Sequence, residues 1–401
     1  MYEATQGKKT DEEAQIGPDY EFYDTSEDVE RLARRLLNER LVAVDVEADS
    51  LYHFRERVCL LQISAGGGNF VVDPLSRADL SPLAPVFADP GIRKVFHGAD
   101  YDIRSLFRDF GIKVMRLFDT QVAARFLGAR ETGLASILSA RYRVNLSKKH
   151  QKSNWTRRPL SGEMLSYAVS DTAHLPGLYE DLRAELTRAG RLSWVEEECS
   201  ILAEARPAEG GGPLFLRVKG AGRMDPESLA VLESVLCWRK EEARRRDVPP
   251  FKVIPDSAAL SIAQVKALEP DRLARAAGLS GRQVNLAPAL ARCVAEALEL
   301  PADRLPAYPK KPRFRTDAKT AARTLILKDF RDRLAAELDI DSSLVLTNAQ
   351  IRDISARPRR CVEDLEGVPN LRRWQKETFG KELVEALAEV DRGPVRASES
   401  P

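Results

Sequence analysis

Two carboxylates within one short apolar run restrict the possible folds and functions of this chain more than any other feature of its sequence. The run Leu41–Ala48 is rich in β-branched residues, as expected of an interior strand, and it contains Asp45 and Glu47. Residues two apart on a strand point to the same face, so these two like charges lie side by side. Such a pair is costly at a buried position unless it shares a cation. The alternative interpretation is a strand whose outer face is acidic.

Further short runs of the same kind surround this strand. Strands that first follow one another through turns and then alternate with helices predict an α/β domain with a mixed sheet. The predicted strands are Leu41–Ala48, Val58–Ser64, Asn69–Asp73, Lys94–His97 and Ile112–Phe118. Beyond them, to about residue 200, the pattern predicts helices only, among them a long helix over Glu163–Glu185.

The remainder of the chain is a tandem repeat. The Pro- and Gly-rich stretch Pro207–Pro213 is typical of a linker and predicts a domain boundary. After it, the residues around Trp238 recur around Phe330, at a constant offset of 92 residues. Two homologous small helical domains follow from this repeat, with Pro301–Pro312 as the joint between them.

Two more acidic patches lie in settings that predict a cleft edge. Asp102 follows the strand that ends at His97 and begins a helix, which places it at the rim of the sheet where ligands bind in open α/β folds. Asp100 competes with it, and both are also explained as helix N-terminal acids. Tyr167 and Asp171 are four residues apart on one helix face, so a phenol and a carboxylate reach the same volume. The alternative for this pair is a packed Tyr with an exposed Asp nearby.

Overall charge and cysteine usage restrict the class of protein. The net charge is only +1, so a nucleic-acid site must come from local clusters or bound metal. Five scattered cysteines without a CxxC pair favour a reducing compartment. The N-terminus lacks a secretory signal pattern, and no apolar run approaches the roughly 20 residues that span a bilayer. We expect a cytoplasmic protein without a membrane partner.

The acidic patches together resemble a known family. The segments Val44–Glu47, Val95–Asp102, Leu117–Thr120 and Tyr167–Asp171 resemble the exonuclease motifs of the DEDDy branch of DnaQ-like 3′-5′ exonucleases, with bacterial ribonuclease D as the best match. The repeated C-terminal units look like HRDC domains. Phe96–Asp100 and Met164–Ala168 are also similar to the exonuclease subunit of the eukaryotic nuclear exosome. Those relatives normally carry one HRDC domain, so the tandem pair favours the bacterial family.

This resemblance implies a ribonuclease H-like α/β exonuclease domain, with a mixed sheet flanked by helices, followed by two small all-α HRDC domains. The implied division of the chain is a disordered acidic tail (1–21), the exonuclease domain (22–206), a linker (207–213), a first HRDC domain (214–300), a linker (301–314), a second HRDC-like domain (315–390) and a tail (391–401).

The resemblance also implies the chemistry. Family members use two divalent ions, Mg²⁺ or Mn²⁺, held by acidic side chains. By analogy Asp45 contacts both ions, Glu47 and Asp171 complete one site, and Asp102 holds the other largely through water. Tyr167 is implied to hydrogen-bond the attacking water, and its identity assigns the subclass. All five are expected to be catalytic residues.

Candidate RNA contacts come from local charge. The segment before the motif Tyr167–Asp171 contains Trp155, Arg157 and Arg158. It combines basic groups with a ring that could stack on a base. An equal alternative is a Trp in the core beneath a solvated basic surface. His97 is a candidate contact or a structural His at a strand end. The basic runs Arg244–Arg246 and Lys310–Arg315 could bind phosphates from the appended domains.

The expected function is therefore a monomeric, metal-dependent 3′-5′ exoribonuclease. The family implies trimming of single-stranded 3′ ends of structured RNA, tRNA precursors above all, with release of nucleoside 5′-monophosphates. Two alternatives stay open: a non-catalytic RNA-binding scaffold and an exonuclease for single-stranded DNA.

Overall fold

A six-stranded mixed sheet forms the centre of the first half of the chain. The computed structural model describes residues 18–76, 78–207, 210–309 and 317–392. The strands are β1 (Glu21–Tyr23), β2 (Leu41–Ala48), β3 (Val58–Ala65), β4 (Gly68–Val72), β5 (Arg93–Phe96) and β6 (Leu117–Asp119). Their order is β1-β4-β3-β2-β5-β6; β3 runs antiparallel to both β2 and β4, and the other three pairs are parallel. The predicted α/β domain with a mixed sheet is confirmed.

Two strands differ from the prediction. Strand β1 was not predicted because three residues are too few to show a period, and it exists through its pairing with β4. It begins at Glu21, inside the predicted tail 1–21, whose residues 1–17 lie outside the described part of the chain. Strand β6 covers only the end of the predicted run Ile112–Phe118, because Arg116 has a φ of 56° and interrupts the extended backbone.

Eight helices accompany this sheet in the described residues. They are α1 (Ser26–Leu36), α2 (Ala84–Ala88), α3 (Asp100–Phe110), α4 (Thr120–Phe126), α5 (Leu134–Tyr142), α6 (Gly162–Ala173), α7 (Leu175–Arg188) and α8 (Leu192–Ala203). The single helix predicted over Glu163–Glu185 is wrong, because Pro176 has no N–H and its ring crowds the preceding turn, so the chain breaks at His174. Helix α6 packs across β2, β3 and β4.

The second half of the chain is helical and repeats, as predicted. Its helices are α9 (Pro226–Arg246), α10 (Pro250–Val253), α11 (Asp256–Val265), α12 (Pro270–Ala276), α13 (Ala287–Leu298), α14 (Ala318–Leu338), α15 (Ser342–Val345), α16 (Asn348–Ser355) and α17 (Arg373–Arg392). Helices α9, α10 and α11 begin 92 residues before α14, α15 and α16. The predicted linkers and the tail 391–401 lie partly outside the described residues, so those boundaries stay predictions. None of the described helices is long and apolar enough to cross a membrane.

The first helical unit, α9 to α13, has its own apolar core and touches the loop that follows β2. Asp247, which ends α9 with a φ of 49°, lies 2.7 Å from His53 Nδ1 and accepts the backbone N–H of Phe54 at 3.2 Å. The Phe54 ring packs against the core of this unit. The loop that leaves the acidic strand is therefore fastened to the helical unit.

The second helical unit, α14 to α17, shares one continuous core with the sheet domain. Trp374 at the start of α17 stacks on Trp194 of α8, with ring centroids 4.6 Å apart. The Glu197 carboxylate of α8 accepts the backbone N–H groups of Arg373 and Trp374, at 2.7 and 2.9 Å. An acid from one domain thus satisfies the N-terminus of a helix in another.

Candidate active site

The central strand β2 presents Asp45 and Glu47 on one face of the sheet. Val44 and Val46, which alternate with them, point to the other face and are buried in the main core. One oxygen from each of the two acids and one from Asp171 all lie within 4.8 Å of one another. Patches that are distant in the sequence therefore meet in a single group of carboxylates.

Helix α6 contributes Asp171 and Tyr167 from adjacent turns. The Tyr167 ring contacts the rings of both His150 and Trp155, with centroid distances of 5.9 and 6.1 Å. Burial, followed by the nearby charges of Asp171 and the β2 acids, raises the pKa of the Tyr167 phenol. The two neighbouring rings thus hold a protonated phenol beside the carboxylates at neutral pH.

Asp102, rather than Asp100, faces the group of acids. Asp102 is only 6% exposed, and its charge contributes to the raised pKa of Asp45. Asp100 lies on the surface and pairs with Arg104 one turn later, at 2.9 Å. We refer to Asp45, Glu47, Asp102 and Asp171 together as the acid cluster.

Asp119 at the end of β6 is a structural residue to which sequence reasoning assigned no role. Its carboxylate accepts the backbone N–H groups of Gly98 and Ala99, at 2.9 and 2.8 Å, and caps α4 through Gln121 N at 2.8 Å. Gly98 has a φ of 74°, a conformation that favours glycine. This carboxylate therefore holds the turn that leads into the helix of Asp102. The sequence did contain one indication of a structural role for Asp119, since an Asp directly before a helix is typical of an N-cap residue.

The acid cluster is electrostatically strained. Within the described residues, none of its four carboxylates forms an ion pair with Lys, Arg or His, although exposed acids throughout the chain do. Burial is the main cause that raises the pKa of Asp171 to about 7 and that of Asp102 to about 8. The pKa values of Asp45 and Glu47 are also raised well above their ordinary values, by burial and by the other acids of the cluster. This arrangement is unfavourable without a cation.

The chemistry of the cluster fits a hard divalent cation. Its donors are all carboxylate oxygens, which suit Mg²⁺ or Mn²⁺, and no Cys or His in the described part of the chain joins the three residues whose oxygens converge. An adjoining cavity of about 420 Å³ is lined by Asp45, Glu47, Tyr167 and Asp171. Gln121, Lys148 and Gln151 also line it. The cavity is large enough for a terminal nucleotide.

His97 lines the same cavity. Its Nδ1 lies 2.9 Å from the Thr120 hydroxyl, and burial lowers its pKa, so the ring is neutral at physiological pH. A contact between His97 and substrate stays a prediction.

The basic segment before α6 differs from expectation. Trp155 is 1% exposed, so its ring has no free face for a base; the predicted stacking role is wrong, and the ring packs against Tyr167 instead. Arg158 binds the Asp73 carboxylate through Nε and Nη2, at 2.5 and 2.6 Å, which occupies its guanidinium in the fold. Arg157 is exposed, and its contact with RNA stays a prediction.

The chain is similar to known exonucleases over most of its length. Residues 20–187 match the 3′-5′ exonuclease domain family, and residues 228–286 and 321–387 match the HRDC domain family. A ribonuclease D of Acidiphilium cryptum is 31% identical over 374 residues, which cover 92% of this chain and 93% of that protein.

Solved structures of exonucleases have a similar fold. The crystal structure of Escherichia coli RNase D, described as an exoribonuclease involved in structured RNA processing, superposes with a TM-score of 0.72 at 24% identity and covers 93% of this chain and 99% of that one. The catalytic core of RRP6 from Trypanosoma brucei superposes with a TM-score of 0.60 at 34% identity, over 69% of this chain and 79% of that one. The first likeness extends through both helical units, whereas the second does not reach the whole chain.

Proposed function

Since this chain belongs to the ribonuclease D family and is a 3′-5′ exoribonuclease, we propose that it trims the single-stranded 3′ ends of structured RNA, tRNA precursors in particular, and releases nucleoside 5′-monophosphates. The observation that carries this proposal is the convergence of three carboxylates within 4.8 Å, beside a phenol and a nucleotide-sized cavity. The acid cluster supports phosphodiester hydrolysis better than RNA binding alone, because buried like charges repel an RNA backbone unless cations are bound.

We assign the acid cluster to two divalent ions. As the family resemblance implies, Asp45 would contribute to both, Glu47 and Asp171 would complete one site, and Asp102 would support the second. The bound ions supply Lewis-acid chemistry, since they lower the pKa of water and neutralise charge on the phosphate. The protein supplies the carboxylates already converged, which removes the cost of collecting them during the reaction.

Tyr167 orients the attacking water in this proposal. Because burial and the neighbouring acids raise its pKa, the phenol keeps its proton at neutral pH and does not act as a base. It donates or accepts a hydrogen bond, and the rings of His150 and Trp155 fix its direction. Trp155 thus supports the chemistry from inside the fold.

We expect the affinity for RNA to depend on a small number of basic side chains. Arg244, Arg245 and Arg246 each pair with Glu241 or Glu242 on the same helix, which weakens this run as a phosphate site. The run Lys310–Arg315 lies outside the described residues. Lys148 lines the cavity beside the acid cluster and is a candidate phosphate contact.

The direct test is digestion of a 3′-extended tRNA and a single-stranded DNA of matching 3′ sequence, with Mg²⁺, with Mn²⁺ and with EDTA. We expect nucleoside 5′-monophosphates from the RNA and none in EDTA. Equal rates on the DNA would transfer the proposal to a DNA exonuclease, and metal-independent RNA binding without cleavage would support the scaffold alternative.

Stability of the metal-free protein is expected to fall as pH rises. The pKa of Asp171 is about 7 and that of Asp102 about 8 in the fold, against an ordinary 3.8. Between pH 4 and 8 the folded state therefore binds more protons than the unfolded state, so stability decreases by up to about 1.4 kcal/mol per pH unit for each such proton. With Mn²⁺ bound, the stability should instead increase with pH above pH 6, because ligation requires ionised carboxylates.

Thermal unfolding in EDTA and in Mn²⁺, from pH 5 to 8.5, measures this effect. The Asp45→Asn variant is the control, since its smaller cluster should give a shallower slope in EDTA. A melting temperature in EDTA that stays constant or rises over this range would contradict the prediction.

A further inference from the structure

Gln62, in the middle of β3, is fully buried, and no described residue forms a hydrogen bond with its side chain. Its side chain is 0% exposed, and among the described residues neither Nε2 nor Oε1 forms a hydrogen bond. A buried primary amide without partners is costly, and such groups are rare in folded proteins. An apolar residue would fill the same space without this cost. Packing alone therefore does not explain why a glutamine is at this position.

The position of Gln62 indicates what its amide faces. In the antiparallel pair of β2 and β3, Gln62 is directly opposite Asp45. Directly opposed residues project from the same face of a sheet, with Cβ atoms about 4.5–5.5 Å apart. The side chains of Gln62 and Asp45 therefore leave neighbouring strands on the same face of the sheet, although they are not hydrogen-bonded to each other in this structure.

The surroundings leave few other partners for the amide. On the other side of β3, Gln62 is opposite Val71, which offers no side-chain polar group. Ser64 is two residues after Gln62 and is on the same face of β3. Its hydroxyl lies 2.8 Å from the Thr172 hydroxyl of α6, so this helix covers that face of the sheet and excludes water from it. Asp45 is the polar side chain that the strand register places next to Gln62.

We infer that Gln62 is a positioning residue for the acid cluster: its carboxamide, which has no partner among the described residues, donates a hydrogen bond to the Asp45 carboxylate when that group is ionised to bind divalent cations, and so fixes its orientation. The inference rests on the proposed role of Asp45 as a metal ligand. An amide N–H₂ is a donor suited to an ionised carboxylate, and neutral Gln adds no charge to an already repulsive cluster. Metal-ligating carboxylates are commonly oriented by such hydrogen bonds.

The Gln62→Met variant tests this role in the full-length protein. Met has a similar length and no donor, so it removes the amide and with it the hydrogen bond to Asp45 that we infer. We expect Mn²⁺ binding, measured by calorimetry, to weaken by about 10–100-fold. The Mn²⁺ concentration for half-maximal RNA cleavage should rise by the same factor, while kcat at saturating Mn²⁺ falls by less. The melting temperature in EDTA should not decrease.

Ser64→Ala is the matched control. It is on the same strand face and removes a buried hydrogen bond to α6, but it does not face Asp45. We expect a lower melting temperature with an unchanged Mn²⁺ requirement, the reverse of the result for Gln62→Met.

A Gln62→Met protein that folds and keeps the wild-type Mn²⁺ affinity overturns the inference. If that variant does not fold, Gln62→Asn decides, because it keeps the amide but withdraws it from Asp45; an unchanged Mn²⁺ requirement then overturns the inference as well. Failure of the proposed function is separate, since it requires that Asp45→Asn retain metal binding and RNA cleavage.

Discussion

The Asp45→Asn variant should lose RNA cleavage by about 10³-fold or more in kcat/KM. Asp45 is proposed to contact both ions, a neutral amide is a weak ligand for hard cations, and metal-derived stabilisation amounts to several kcal/mol. Each factor of ten in rate corresponds to about 1.4 kcal/mol. The same substitution should raise the melting temperature in EDTA, because it removes a carboxyl group whose pKa burial and the charges of the other three acids raise. Opposite effects on activity and stability distinguish loss of a functional group from loss of fold.

Asp100→Asn is the control for this experiment. Asp100 is two residues from Asp102, but it is exposed and paired with Arg104. We expect activity within about twofold of wild type, since exposed ion pairs contribute little. If Asp100→Asn were inactive and Asp102→Asn active, the assignment of the fourth acid would be wrong.

The Tyr167→Phe variant should lower kcat by about 10²-fold, at the lower end of the range for a positioned proton-handling group. The substitution removes only the hydroxyl, and the ring keeps its contacts with His150 and Trp155. Mn²⁺ affinity and KM for RNA should change little, because the phenol is not a proposed metal ligand. The pH profile should keep its shape, since the protonated phenol is not the base.

Single-turnover cleavage together with calorimetric Mn²⁺ titration provides the measurement for Tyr167→Phe. Tyr142→Phe serves as a comparison, because its hydroxyl bonds to Asp181 at 2.6 Å and should leave kcat unchanged. An unaltered kcat in Tyr167→Phe would remove the residue from the mechanism, and loss of Mn²⁺ binding would make it a ligand instead.

Sequence patterns predicted those parts of the fold that depend on local periodicity. Strand β2 has the predicted bounds, and the 92-residue repeat reappears in helix starts, because a repeated period produces repeated helices. Strand β1 was missed because its three residues are ordered by pairing with β4, a contact that no local pattern encodes. The break at His174 could have been read from Pro176, which follows it by two residues.

The proposed site was predicted unevenly for similar reasons. The acids could be identified because charge within an apolar run is conspicuous, and proximity then followed from the family resemblance. Trp155 was ambiguous, since a Trp beside basic residues has the same sequence pattern whether its ring is exposed or buried. Gln62 gave no signal, because its importance depends on which strands are neighbours. Asp119 lies in a segment that resembles an exonuclease motif, but its bonds to Gly98 and Ala99 depend on how β5 and β6 pair.

The contact between α8 and α17 has a consequence for how the chain folds during synthesis. Trp194 and Glu197 are made long before their partners Arg373 and Trp374, so the sheet domain leaves the ribosome with an aromatic ring and a capping carboxylate that still lack their contacts. Its core is completed only when the last helix arrives. A chain shortened before α17 would therefore keep an exposed apolar surface, and truncation intended to isolate the nuclease would yield an aggregation-prone protein.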